Sequence, residues 1–179
     1  LILMASERYQ NYILKEELKL FELMEQVISS IKIVTKGQGF TDITYEVNEF
    51  IKKNHFSTGI LILNLLHTSC SLTLNENADP NVLKDLSKYI ESIVPYNTYK
   101  DLNINSKKIL YDHSQEGEDD MPAHIKTALT NNSLSLSFQN GKLILGIWQA
   151  IYLWEHRFDV KERLVNIHAI GEKVNDNYN

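Results

Sequence analysis

The hydrophobic positions in the first part of the chain change from a helical to a strand spacing. Leu14, Leu18 and Phe21 recur at helical intervals, which predicts a helix over residues 6–26. Residues 28–34 are rich in β-branched side chains and predict a strand. We therefore expect residues 1–25 to form a helical extension and residues 26–179 to form the main domain.

Two apolar segments mark the middle and the end of the chain. Residues 59–66 and 142–155 are apolar on both faces, which is typical of central strands that are covered on both sides. Residues 55–59 before the first segment are predicted to be a loop. Residues 133–138 alternate as a strand, and Asn140-Gly141 predicts a tight hairpin turn because both residues tolerate a positive φ.

Polar caps mark the starts of three further helices. Asp79 followed by Pro80 is a strong helix start, because the carboxylate accepts from first-turn amides and the proline lacks only an amide that needs no partner there. Asp120 with Pro122 gives a similar start, and Thr41 or Asp42 can cap the helix that follows residues 36–39. Because the helices interrupt hairpin-like strands without regular βαβ alternation, we expect an α+β fold with inserted helices and β-sandwich-like sheets that are mixed or antiparallel.

Composition narrows the range of partners. The 179 residues include 18 basic and 23 acidic side chains, a net charge of −5, which argues against nucleic-acid binding. The single cysteine, Cys70, excludes an intramolecular disulfide and suits a reducing compartment, so we expect a cytoplasmic protein. No apolar run approaches the ~20 residues of a membrane helix, so we expect no membrane association.

Several histidines stand at the ends of predicted elements. His67 and Ser69 follow the first central strand, where the imidazole can serve as a metal ligand or acid–base group, or as a core-edge residue bonded to the backbone. His113 ends a short strand and His124 opens a helix, so the loop between them can bring both rings to one point. Their spacing matches no established zinc motif, and two separate surface histidines remain the alternative.

Two polar segments add carboxylates and amides. The acidic run 116–120 is either a solvated helix cap or a set of hydrogen-bond partners for the histidines, and Glu116 is the best candidate for the second role. Asn75, Glu76 and Asn77 can orient a polar ligand, with Glu76 as a general base, or they form an Asx-type turn.

The second central strand carries polar residues of its own. Gln149 lies in an otherwise apolar segment, and a buried amide needs partners from the backbone or from a ligand. Glu155 and Arg157 share one strand face if the strand continues to residue 157. They then form an ion pair, or Arg157 binds a phosphate with both ends of its guanidinium.

These segments together resemble one known family. The sequences HTSCSLTLNENADPNV, YDHSQEGEDDMPAHIK and NGKLILGIWQAIYLWEHR are similar to those of the YjbQ-like family, also called secondary thiamine-phosphate synthases. The resemblance implies a homotrimer and a metal site formed by His67, His113 and His124. Three imidazoles with an open position suit Zn²⁺, with Mg²⁺ as the alternative for a pyrophosphate substrate.

The resemblance also implies a reaction and a small phosphorylated metabolite as its substrate. Secondary thiamine-phosphate synthases join a pyrimidine-methyl pyrophosphate to a thiazole phosphate and release pyrophosphate. The residues expected to orient ligands or move protons in such a site are Ser69, Glu76, Glu116 and Arg157. Those expected to bind the substrate are Asn75, Asn77, Gln149 and Glu155. A metal-dependent hydrolase of small phosphorylated or amide compounds and a non-enzymatic metabolite-binding trimer are the alternatives.

Overall fold

The computed structural model describes residues 24–96, 98–100 and 108–174. Within these ranges the strands are β1 (Met24–Val34), β2 (Gly39–Asp42), β3 (Phe56–Leu65), β4 (Cys70–Glu76), β5 (Thr98–Lys100), β6 (Lys108–Leu110), β7 (Ser133–Gln139), β8 (Lys142–Leu143), β9 (Gln149–Glu155) and β10 (Glu162–Lys173). The helices are α1 (Thr44–Lys53), α2 (Pro80–Ile93) and α3 (Asp120–Leu129).

The strands form two main sheets. The larger has the order β1-β10-β3-β7-β8, the second has the order β2-β9-β4, and β5 pairs only with β6 in the described ranges. Every strand pair in those ranges is antiparallel, so the sheets are antiparallel rather than mixed. The predicted α+β class is confirmed, because the helices stand between consecutive strands without creating parallel βαβ units.

The two sheets share one apolar core. Leu63 of β3, Ile167 of β10 and Leu153 of β9 are fully buried in the same cluster, so both sheets contribute a face to it. Helix α1 closes one side with Phe50 and Ile51. Burying each such side chain contributes about 1.5–3 kcal/mol. The expected cover on both faces is found for β9, whereas for β3 it is wrong, because Leu61 and Leu63 face the core but Ile60 is 52% exposed.

The predicted starts and turns at Asp79-Pro80 and Asn140-Gly141 are confirmed, whereas Asp120 does not cap α3: it is the first helical residue, and the N-cap Asp119 makes no side-chain capping hydrogen bond. The Asp79 carboxylate accepts from the Asn81 amide at 2.9 Å, and Pro80 is the first residue of α2. Asn140 and Gly141 adopt φ values of 52° and 72° between β7 and β8. Each of these signals depends on one or two residues, so distant packing does not override it.

Two predicted segments differ from the structure. Residues 55–59 were expected to be a loop, but β3 begins at Phe56, whose ring packs on Phe138 at 5.6 Å. The continuous strand over residues 142–155 is instead broken, with β8 in the larger sheet and β9 in the smaller one. At the break the Gln149 amide donates to the Gly146 carbonyl at 2.9 Å, a turn that hydropathy does not reveal.

The ends of the domain also differ from expectation. Most of the predicted N-terminal helix lies outside the described residues, and Met24–Gln26, its last part, belong to β1. The division at residue 25 stays a prediction. At the other end, strand β10 continues to Lys173. No helix in the described part of the chain has the length and apolar character that crossing a membrane requires.

Candidate functional site

The start of α3 and the loop before it bring two imidazoles and a carboxylate together. Asp120 and His124 are one helical turn apart, so their side chains leave the same face of α3. His113, from the loop after β6, places Nε2 2.6 Å from Asp120 Oδ2, and His124 Nε2 lies 3.5 Å from the same oxygen. One ligand atom from each residue lies within 4.8 Å of the others, so this His/Asp cluster could share one small cation.

The backbone decides which nitrogen of His124 faces Asp120. His124 Nδ1 lies 2.9 Å from the carbonyl oxygen of Thr68, and because a carbonyl can only accept, Nδ1 carries the proton. In the neutral ring Nε2 is then an unprotonated acceptor. It lies 3.5 Å from a carboxylate oxygen, Asp120 Oδ2. Two acceptors this close repel each other unless a proton or a metal ion lies between them, so the arrangement suits a bound cation.

Arg157 holds the carboxylate of the cluster in place. Asp120 is buried, with 2% of its side chain exposed. Its Oδ1 accepts from Arg157 Nη1, while Arg157 Nε donates to Asp119 Oδ2 at 3.1 Å. Arg157 Nη2 donates to the carbonyl of Glu116 at 2.8 Å, and the Glu116 side chain is exposed. The guanidinium predicted to bind phosphate is thus engaged with carboxylates and backbone of its own chain.

His67 occupies a different position from the other two predicted ligands. Its Nε2 accepts from the Leu164 amide at 2.8 Å, so the neutral ring carries its proton on Nδ1. Burial, reinforced by the positive charge of Arg163, lowers the pKa of His67. In the described ranges the His/Asp cluster contains His113 and His124 but not His67, and Asp120 takes the third position.

Glu155 lies beneath the site in a fully buried network. Its oxygens accept from Arg163 Nε at 2.7 Å and Arg163 Nη2 at 2.6 Å. They also accept from the backbone amides of His156 at 3.1 Å and Arg157 at 3.0 Å, and from the Thr35 hydroxyl at 3.2 Å. The predicted ion pair between Glu155 and Arg157 is wrong, because β9 ends at Glu155 and its salt-bridge partner is Arg163. With both oxygens engaged, Glu155 supports the site rather than facing a ligand.

The remaining predicted substrate residues form a separate groove. Asn75, Glu76 and Gln149 line it beside Trp148, with a volume of about 390 Å³. Gln149 is exposed at the first residue of β9, so the expectation of a buried amide inside a continuous strand is wrong. The Asn77 amide, at the rim, donates to the Trp148 carbonyl at 3.0 Å.

The groove lies at the far end of a strand from the His/Asp cluster. Strand β4 leads from Cys70, next to the Thr68–Ser69 segment, to Glu76 in the groove. At about 3.3 Å per residue that strand separates the two groups by about 20 Å. One chain therefore does not bring all of the predicted site residues together.

An open, largely apolar cleft adjoins the His/Asp cluster at His113. Its volume is about 620 Å³, and Ile93, Ile109 and Met121 line it together with two tyrosines. The rings of Tyr99 and Tyr111 stack with their centroids 5.4 Å apart. The cleft has the size and the apolar and aromatic surface expected for a small ring compound.

Two residues of this arrangement are not identified by the sequence patterns. The helix-cap interpretation of Asp120 overlooks its spacing of four residues from His124, which places both on one helix face. No local pattern marks Arg163, because its partners Glu155 and Ser69 belong to other strands or loops. Helical spacing could have identified Asp120, whereas Arg163 can be identified only from the tertiary structure.

The fold and the His/Asp cluster define a small two-sheet α+β domain with a polar site beside an apolar cleft. The family model described as UPF0047 protein YjbQ-like matches residues 29–172. The chain therefore belongs to the YjbQ-like UPF0047 family, as the sequence motifs predicted.

Relatives and solved structures agree with this assignment. The UPF0047 protein YjbQ of Salmonella typhimurium is 43% identical over 144 residues, 80% of this chain and 96% of that protein. A UPF0047 protein of Synechocystis is 39% identical over 140 residues, 78% of this chain and 88% of its own length. The crystal structure of a YbjQ-like protein of unknown function from Sulfolobus solfataricus has a TM-score of 0.68 at 22% identity, covering 83% of this chain and 99% of that one. This last likeness concerns the fold alone.

Proposed function

We propose that the chain is a metal-binding enzyme acting on a small phosphorylated molecule, with His113, Asp120 and His124 holding a divalent cation. The observation that carries the proposal is the position of the His124 ring, with Nδ1 2.9 Å from the Thr68 carbonyl and Nε2 3.5 Å from Asp120 Oδ2. Imidazole nitrogens and carboxylate oxygens are ordinary ligands of Zn²⁺, and three protein ligands leave a position open for substrate. The contacts within one chain favour Asp120 over His67 as the third ligand.

Hydrogen bonds around the cluster support a pre-organised site. The Thr68 carbonyl orients His124, and Arg157 orients Asp120, as partners of metal ligands do elsewhere. A divalent cation bound there would supply charge that stabilises a phosphate or pyrophosphate oxygen. The residues themselves contribute binding and orientation.

The substrate class we propose is a ring compound that carries a phosphate group. The cleft beside His113 offers the stacked rings of Tyr99 and Tyr111 to an aromatic ring, and the cluster lies at its edge. This supports the reaction implied by the family resemblance. In it a nitrogen of the thiazole phosphate bonds to the pyrimidine methylene, and the carbon–oxygen bond to pyrophosphate breaks.

Metal analysis and a pyrophosphate-release assay test the proposal together. We expect protein purified without a histidine tag to bind Zn²⁺ and to release pyrophosphate from the two thiamine precursors. His124→Asn should lose both properties, because it removes the ligand whose orientation Thr68 fixes. His168→Asn is the matched control, since that histidine lies on β10 and bonds Gln26 outside the cluster.

Each result of that experiment bears on the proposal. Equal pyrophosphate release by the wild type and His124→Asn would identify a contaminant and refute the transfer reaction. Absence of zinc binding at micromolar concentration would refute the metal site. Turnover of generic phosphoesters in proportion to bound zinc, without pyrophosphate release from the precursors, would replace the transferase with a hydrolase.

We also propose that the chain forms a homotrimer, as the family resemblance implies. The segment between β8 and β9 exposes Ile144, Ile147 and Trp148 beside the groove of Asn75 and Glu76. A cluster of large apolar side chains on the surface is characteristic of a protein–protein contact. A subunit contact there would explain why this groove and the His/Asp cluster lie apart within one chain.

A further inference from the structure

We infer that Arg163 is a positioning residue that sets the tautomer and orientation of the His124 ring through the segment Thr68–Ser69. Its effect on metal binding rests on the proposed function above, whereas its effect on the ring does not. Arg163 makes no hydrogen bond to the cluster or the cleft within the described residues, so it would act only through that segment.

Arg163 is itself held rigidly. Its side chain is 7% exposed, and its Nε and Nη2 atoms donate to the two oxygens of Glu155 at 2.7 and 2.6 Å. This bidentate geometry fixes the plane of the guanidinium as well as its position. The Glu155 carboxylate is fixed in turn by the backbone amides of His156 and Arg157.

The Nη2 atom of the same guanidinium also holds the Thr68–Ser69 segment. Arg163 Nη2 donates to Ser69 Oγ at 3.0 Å and lies 3.5 Å from the Ser69 carbonyl. The neighbouring Leu164 adds two backbone contacts, accepting from the Leu66 amide at 3.3 Å and donating to His67 Nε2 at 2.8 Å. The start of β10 therefore contacts Leu66, His67 and Ser69, on both sides of Thr68.

The held segment provides the acceptor that selects the tautomer of His124. In the metal-free protein two tautomers compete, since Nε2–H could donate to Asp120 Oδ2, while Nδ1–H donates to the Thr68 carbonyl. Only the second leaves Nε2 free to bind a metal. The orientation of the Thr68 carbonyl depends on the Thr68–Ser69 peptide. The hydrogen bond from Arg163 to Ser69 therefore favours the Nδ1–H tautomer of His124, which is the one that can bind a metal.

Nitrogen NMR of metal-free protein tests the inference directly. We expect the wild-type His124 ring, assigned by its loss in His124→Asn, to show a single Nδ1–H tautomer. Arg163→Lys keeps the charge but removes the planar fork, and it should give a mixture of tautomers. Zinc affinity should fall by about 10- to 100-fold in the same variant, the usual effect of losing an outer partner of a ligand.

Two further variants separate positioning from folding. Glu162→Gln is the matched control, because it changes the residue before Arg163 and removes only an exposed ion pair with Lys32. It should leave both the tautomer and zinc affinity unchanged. Ser69→Ala removes one acceptor of Arg163 without leaving the buried Glu155 charge unpaired, so it should shift the tautomer in the same direction by less. If Arg163→Lys does not fold, the tautomer in Ser69→Ala tests the role of Arg163.

The tautomer of His124 is measured without metal, so the role of Arg163 and the metal site can fail independently. A single Nδ1–H tautomer retained in folded Arg163→Lys, or in Ser69→Ala if the former is unfolded, would overturn the role of Arg163. A tautomer shift in protein that binds no zinc would support that role and refute the metal site. Zinc binding by the wild type, together with an unchanged tautomer in the variants, would support the metal site and refute the role of Arg163.

Discussion

At the scale of single residues, the buried histidine His156 makes the stability of this domain depend on pH. His156 is 1% exposed, its Nε2 lies 2.7 Å from Ser71 Oγ, and its Nδ1 has no hydrogen-bond partner in the described part of the chain. Burial lowers the pKa of His156 to about 3, and the positive charges of Lys126 and Arg163 add to the effect. The folded protein therefore keeps this ring neutral throughout the physiological range.

The neutral His156 predicts a specific loss of stability in acid. Above pH 6.5 neither state protonates the ring, but between pH 6.5 and about 3 only the unfolded chain does. The free energy of unfolding should thus fall as the pH falls through that window, with a contribution of about 1.4 kcal/mol per pH unit from this ring. Urea unfolding of the wild type and His156→Gln from pH 7.5 to 4.5 measures it. Equal slopes in the two proteins would contradict the assignment.

At the scale of elements, short signals in the sequence placed the helix starts and the hairpin, whereas long apolar patterns were less reliable. The Asp79–Pro80 start and the Asn140–Gly141 turn stand where they were predicted, because each depends on local backbone chemistry. The pattern of residues 142–155 gave one strand where the structure has two in different sheets. Leu129 is 61% exposed, and it is the last residue of α3.

The N-cap of α2 gives a prediction at this scale. Asp79→Ala removes the oxygen that accepts from the Asn81 amide and should lower the free energy of unfolding by about 1 kcal/mol. Asp85→Ala, which removes an exposed carboxylate further along the same helix, is the control and should change stability by less than about 0.5 kcal/mol. Denaturant unfolding of both variants measures the difference. Similar losses in the two would show that the cap contributes nothing particular.

At the scale of the whole molecule, the structure divides the predicted functional residues into two groups. His113, Asp120 and His124 meet at the start of α3, while Asn75 and Glu76 lie about 20 Å away along β4. The apolar side chains beside the second group, including Ile147 at 82% exposure, are unusual for a surface that faces only water. This distribution is what the proposed homotrimer would explain.

A charge placed on that surface tests the assembly. We expect wild-type protein to have a mass in solution of about three times the 20.7 kDa of one chain. Trp148→Glu, at a position 60% exposed in one chain, should reduce the mass toward that of a monomer, because burying an unpaired carboxylate in a subunit contact is costly. Tyr89→Glu, an aromatic 68% exposed on α2, is the control and should not change the mass. A monomeric wild type in light scattering would refute the trimer.

The candidate site shows how far sequence reasoning extends. The residue types and their places at element ends are visible in the chain, so His113 and His124 stand out as a pair from the sequence alone. Helical spacing favours Asp120, four residues before His124, over Asp119 and Glu116, but only the tertiary structure shows that His113 also reaches it.

The sequence by itself determined the family, the α+β class, the main turns and the two histidines of the cluster, because these depend on motifs or on neighbouring residues. The tertiary structure decided that Asp120 completes the cluster and that Arg163 reaches Ser69 across 94 positions of the chain. It also decided that the apolar run after Gly141 is divided between two sheets. Contacts between residues far apart in sequence are set by how the two sheets pack, and no local pattern of side chains encodes that geometry.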